Sequence, residues 1–128
     1  ISLDSNSFIN TTGTQNSVGK SGDITITTRN INLSNLSRII SAPLGQGEAG
    51  KITLNAQEEI SVNSGSNISS SSSASSFGGV NTLPSGNIEI ITRTLTLDGN
   101  NSSVTSSNLD EGRGGDIRIT ADELIALN

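Results

Sequence analysis

Gly22-Asp23-Ile24-Thr25-Ile26 has three counterparts further along the chain: Gly50-Lys51-Ile52-Thr53-Leu54, Gly86-Asn87-Ile88-Glu89-Ile90 and Gly115-Asp116-Ile117-Arg118-Ile119. Each reads glycine, polar, apolar, polar, apolar. An alternation of period two describes a short strand with one buried face. The glycines are 28, 36 and 29 residues apart, so the pattern is an internal repeat.

A second alternation follows each copy: Ile31-Asn32-Leu33, Ile60-Ser61-Val62, Leu95-Thr96-Leu97 and Ile125-Ala126-Leu127, with Ile1-Ser2-Leu3 in the same register. A third and weaker one centres on Ile9, Ile39, Ile68 and Val104, each followed by small polar residues. Three short strands per repeat, separated by polar corners, cannot stand alone, because even a hairpin is marginal. Stacked as turns of a coil, equivalent strands pair in parallel about 4.8 Å apart. The expectation is therefore an all-β, right-handed parallel β-helix (a solenoid) of about four rungs of three short strands, since parallel crossovers are overwhelmingly right-handed.

Stacking turns the repeat into columns. The expected interior is Ile24/Ile52/Ile88/Ile117, Ile26/Leu54/Ile90/Ile119, Ile31/Ile60/Leu95/Ile125 and Leu33/Val62/Leu97/Leu127. Branched aliphatics of similar size suit such columns, and the composition agrees. Only two residues are aromatic, both Phe, with no Trp, Tyr, Met, His or Cys. The corner glycines Gly22, Gly50, Gly86 and Gly115 are expected where the chain bends into the first strand with φ > 0. Outside, Arg29, Glu58, Arg93 and Glu123 form an expected charge ladder of alternating sign. Such pairs add little stability when exposed, but a slip of one rung would set like charges together.

One repeat is longer. Ile39 to Gly50 and Val104 to Gly115 each span 11 residues, whereas Ile68 to Gly86 spans 18. The extra residues fall in a Ser-rich corner insertion at 69–85, which carries Phe77, a large apolar residue without a column and a possible contact point. Residues 1–128 read as a single segment of a longer array. Neither end shows a cap, so end-to-end self-association or continuation of the same chain is expected.

Composition narrows the partners. A net charge of −5 disfavours nucleic acid and anionic membranes. No apolar run reaches the ~18 residues of a membrane-spanning helix, so no membrane insertion is expected. Gly13–Ser21 has five residues between its glycines where a phosphate-binding loop has four, and a strand follows instead of a helix. The column Asp23, Lys51, Asn87, Asp116 contains a lysine, which speaks against a shared Ca²⁺. No cofactor or metal is expected. Glu58, Glu59, Glu89, Asp98 and Glu123 do not converge as the paired carboxylates of a glycoside-cleaving site must, so no enzyme is expected. The outward column Thr25, Thr53, Glu89, Arg118 is too charged for a flat ice-binding array. Acceptor sequons for N-glycosylation occur at Asn10, Asn32, Asn35, Asn67, Asn100 and Asn101.

The glycine-polar-Ile-x-Ile strand, the following Leu-x-Leu strand and the Ser/Asn/Thr-rich corners resemble the repeat region of filamentous-haemagglutinin-like exoproteins of two-partner secretion. The cyanobacterial type is rich in Gly-Gly-Asp-Ile-x-Ile units, here Gly114-Gly115-Asp116-Ile117-Arg118-Ile119. The resemblance covers nearly the whole chain. It implies a right-handed β-helical shaft outside the cell or on its outer surface, serving an adhesin or fibre, with a host or surface receptor that the repeat does not specify. The Asn-Pro-Asn-Leu motif of that family's secretion domain is absent from these residues, so only the shaft properties carry over. The alternative expectation is a glycan- or protein-binding module that uses the 69–84 loop or an outer face.

Overall fold

A computed structural model describes residues 1–13, 18–72 and 82–128. Nine strands follow one another: β1 (Ser2–Leu3), β2 (Phe8–Thr12), β3 (Ile24–Leu33), β4 (Arg38–Ala42), β5 (Ile52–Asn63), β6 (Asn67–Ser72), β7 (Ile88–Asp98), β8 (Ser103–Asn108) and β9 (Ile117–Leu127). The described residues contain no helix. Odd strands form one parallel sheet in the order β1-β3-β5-β7-β9, and even strands form a second in the order β2-β4-β6-β8. Each rung, one long strand and the short one after it, thus adds a strand to both sheets. The protein is all-β and wholly parallel in its pairing.

The register is the one that the repeat predicts. Ile24 pairs with Ile52, Ile52 with Ile88 and Ile88 with Ile117, and the other three apolar columns align in the same way. In the middle rungs these side chains are fully buried, among them Leu33, Ile52, Leu54, Ile60, Val62, Ile90 and Leu95. Ile9, Ile39, Ile68 and Val104 meet them from the second sheet. Burial fades at the last strand: Ile88 is 1% exposed, but Ile117 is 43% and Leu127 71%. β9 covers β7 on one side and, among the described residues, has no strand on its other.

The first two strands expected in each repeat are one continuous strand. The polar residues between them do not make a corner; they make a register shift. Thr28 pairs with Ala56 and Asn30 with Glu59, so Arg29 alone faces Gln57 and Glu58. Thr92 pairs with Ala121 and Thr94 with Leu124, so Arg93 alone faces Asp122 and Glu123. An extra residue on one strand is a β-bulge, which bends the strand without ending it. Here β5 and β9 carry the extra residue, and β3 and β7 do not.

The real corner lies between the long and short strands. Ser5 and Asn6, Asn35 and Leu36, and Ser64 and Gly65 occupy consecutive positive-φ positions, from +52° to +73°. Two left-handed residues in succession reverse the chain tightly. The backbone ladder runs on through the bend, with Asn6 N–H donating to Asn35 O at 2.8 Å and Leu36 N–H to Ser64 O at 3.1 Å. Leu36 holds φ +65°, a conformation costly to a side chain with a Cβ.

The corner glycines have another reason than the one expected. Gly22, Gly50, Gly86 and Gly115 do not have positive φ; Gly65 and Gly99 do. What Gly50, Gly86 and Gly115 require is close stacking, whereas Gly22, in the first of the four copies, has only the Thr11 side chain near it. A Cβ on Gly50 would lie 2.6 Å from the carbonyl carbon of Gly22, and one on Gly86 would lie 2.5 Å from that of Gly50. Each of these three backbones rests on the previous one with no room for a methyl group. The Ser-rich insertion also starts later than its composition suggests, because Ser69–Ser72 belong to β6 and pair with β4 and β8. Phe77 lies outside the described residues.

Candidate functional site

Two charged or polar constellations gather on this scaffold. The first is the corner where the glycine column meets the second sheet. Alternation along the short strands points every second residue inward. After the apolar column this brings Thr11, Ser41, Ser70 and Ser106 into line. Ser41 and Ser70 are fully buried. Their hydroxyls bond to the bare glycine backbone. Ser41 Oγ accepts from Gly50 N–H at 2.8 Å and donates to Gly22 O at 3.2 Å. Ser106 Oγ accepts from Gly115 N–H at 2.9 Å and donates to Gly86 O at 2.8 Å. Ser70 Oγ donates to Gly50 O at 3.0 Å, and Thr11 Oγ1 to Gly22 O at 2.6 Å. Buried backbone groups must find partners, and here serine supplies them where no strand lies alongside.

Polarity alone does not announce this hydroxyl column. Its signal was present as Ile-x-Ser in Ile39-Ile40-Ser41 and Ile68-Ser69-Ser70. Period two places the serine on the same face as the isoleucine. Next to it, Ser21 is buried with a hydroxyl that has no partner, and the equivalent residue one rung on is Ala49.

Over the same corner, outside, lies an open cleft of about 570 Å³ whose lining includes Lys20, Glu48, Lys51, Arg113 and Asp116. Both of its lysines are ion-paired. Lys20 pairs with Asp23 at 3.3 Å and Lys51 with Glu89 at 2.6 Å. Asp23 Oδ1 accepts the Lys51 N–H at 2.7 Å, and Asn87 Oδ1 accepts the Asp116 N–H at 2.8 Å. The column Asp23, Lys51, Asn87, Asp116 thus uses its oxygens to hold the next strand's backbone. The Lys51 N–H, with Lys20 beside it, keeps the Asp23 carboxyl below its usual pKa. The Lys51 ammonium does the same to Glu89. At the other corner, Asn35 Nδ2 and Ser34 Oγ donate to Asp4 Oδ1 at 2.7 and 2.9 Å, and these bonds lower its pKa.

The second constellation is the charge ladder at the bulge. Arg93 lies between two carboxylates, 3.1 Å from Glu58 and 3.3 Å from Glu123. Arg29 lines the same shallow depression as Glu58 and Glu59 without coming within ion-pair distance of either. Sign and bulge go together: arginine stands where one residue fills the shift, and glutamate where two do. Among the described residues, no group of three His, Cys, Asp or Glu side chains is placed to hold a metal ion.

Fold and corner together define an all-β chain of two parallel sheets, stacked in register and clipped by a hydroxyl column. No protein-family model, curated protein or solved structure matches it.

Proposed function

We propose that this chain is a segment of a right-handed parallel β-helix that serves as a structural, non-catalytic shaft in a secreted or cell-surface adhesin or fibre of the filamentous-haemagglutinin-like, two-partner-secretion type. One observation carries the reading: four long strands lie residue over residue through nearly their whole length. Such a stack gains its stability from nearest-neighbour contacts, so it can be lengthened without changing its cross-section. The sequence resemblance supports the outer-surface location. The pairing of Arg93 with two glutamates supports a supporting role over glycoside chemistry, because the carboxylates are neutralised in a row.

A tandem fusion of residues 1–127 with residues 4–128, in which Asp4 of the second copy follows Leu127 as it follows Leu3 in the first, tests the reading by small-angle X-ray scattering. Four rungs at about 4.8 Å spacing should add about 19 Å to the long axis and leave the cross-section unchanged. A particle that grows equally in all directions would rule the shaft out. The exposed Ile117, Ile125 and Leu127 on β9 would be covered by the next unit. Hydrogen exchange of the β9 amides should slow in the fusion relative to the single segment.

A further inference from the structure

The two sheets differ in their outer surfaces. The strands of the five-stranded sheet carry nine charged residues, from Arg29 to Glu123. Those of the four-stranded sheet carry one, Arg38. Its outward rows are Phe8/Arg38/Asn67/Ser103, Asn10/Ile40/Ser69/Thr105 and Thr12/Ala42/Ser71/Ser107. The result is a face mainly of hydroxyls and amides at strand spacing, with Phe8, Arg38, Ile40 and Ala42 on its first two strands. At the β2 and β4 end it opens into a depression of about 290 Å³ lined by Asn6, Phe8, Asn10, Thr12, Arg38 and Ile40. Phe8 is 66% exposed there, an unusual placement for one of only two aromatic residues. Arg38 has no ion pair among the described residues, unlike Arg93.

We infer that this depression binds an acidic polysaccharide, with a sugar ring stacked on Phe8 and its carboxylate held by Arg38. The chemistry matches group by group. An exposed ring offers an apolar platform with little entropy to lose. Asn and Thr side chains both donate and accept, as sugar hydroxyls require. A guanidinium forks onto a carboxylate. The surface is also inexpensive to cover, because uncharged hydroxyls and amides lose less on desolvation than charges do. The strands of this sheet carry no carboxylate, so the acidic groups behind the net charge of −5 lie elsewhere on the chain, and physiological salt screens exposed charges beyond about 8 Å. This site is independent of the shaft reading: either can fail alone.

Titration calorimetry with polygalacturonate oligomers in 150 mM salt tests it, with dextran oligomers as the neutral control. The expected result is saturable binding, at least tenfold tighter for polygalacturonate than for dextran. Phe8→Ala and Arg38→Gln should each weaken it at least tenfold, while Arg93→Gln on the other sheet leaves it unchanged. Both Phe8 and Arg38 are exposed, so the variants should fold, with circular dichroism as the check. Absence of saturable binding, equal affinity in either variant, or equal loss in Arg93→Gln would overturn the assignment. So would a dimer in sedimentation that Phe8→Ala dissolves, which would give the face to a second copy.

Discussion

Replacing Gly86 by alanine should be far more damaging than replacing Gly22, although both open the same repeat. A methyl on Gly86 would lie 2.5 Å from the carbonyl carbon of Gly50 and 2.7 Å from the carbonyl oxygen of Ala49. Backbone, not a pliable side chain, is in the way. Relief requires the two rungs to separate by about 1 Å, a fifth of the ~4.8 Å strand spacing. Overpacking of this kind costs about 1–3 kcal/mol. The shift also strains the Ser106 Oγ bond to Gly86 O, a net contribution of about 1 kcal/mol. The sum is about 3 kcal/mol, or a Tm lower by roughly 10–15 °C for a domain of this size. At Gly22 a methyl would meet only Thr11 Cγ2, at 3.4 Å, and φ is not positive. Gly22→Ala should stay within about 0.5 kcal/mol of the parent, helped by a less flexible unfolded chain. Urea or thermal melts followed by far-ultraviolet circular dichroism read both, since the chain has no Trp or Tyr for fluorescence. Equal destabilisation by the two substitutions, or a neutral Gly86→Ala, would refute the stacking argument.

Other outcomes follow from the same geometry. Ser70→Ala leaves the buried Gly50 carbonyl without its hydroxyl donor and should cost about 1–3 kcal/mol in urea melts. Ser21→Ala removes a buried hydroxyl that bonds to nothing, and should be neutral or stabilising by up to about 1 kcal/mol. Leu36→Asn relieves an aliphatic residue at φ +65° and should raise Tm by a few degrees, because Asn tolerates that region. The carboxyls of Asp4, Asp23 and Glu89 all have lowered pKa values when folded. Their contribution to stability is complete above the unfolded carboxylate range and disappears as pH falls through the folded values. Melting temperature should therefore be nearly level from pH 7 to about 5 and drop below about pH 4; an unchanged Tm at pH 3 would count against these contacts.

The apolar columns were legible because period two and a fixed repeat length leave one register that buries every isoleucine. Two features were harder to read. The bulge reads as a corner because a run such as Gln57-Glu58-Glu59 breaks the apolar alternation. Nothing local distinguishes a strand that bends from one that ends. Residue preference alone points the repeat's glycines to positive φ. Whether a glycine serves conformation or close approach depends on its neighbour in the next rung, 28 or more residues away. The true positive-φ corners combine Asn6, Asn35, Gly65, Gly99 and Asn101, which favour that region, with Ser5, Leu36 and Ser64, which do not. Inward serines went unread because polarity suggested solvent, whereas their partners are glycine carbonyls brought near only by the stack.

The bulge alternates between one and two residues from rung to rung, and arginine and glutamate alternate with it. The unit that this protein can copy is therefore a pair of rungs. A gene duplication of a single rung would set two-residue bulges, and two glutamates, against each other. Duplicating two together would restore both the fit and the sign. Growth of such a chain in evolution should have proceeded in double steps of about 65 residues, the sum of two neighbouring repeats.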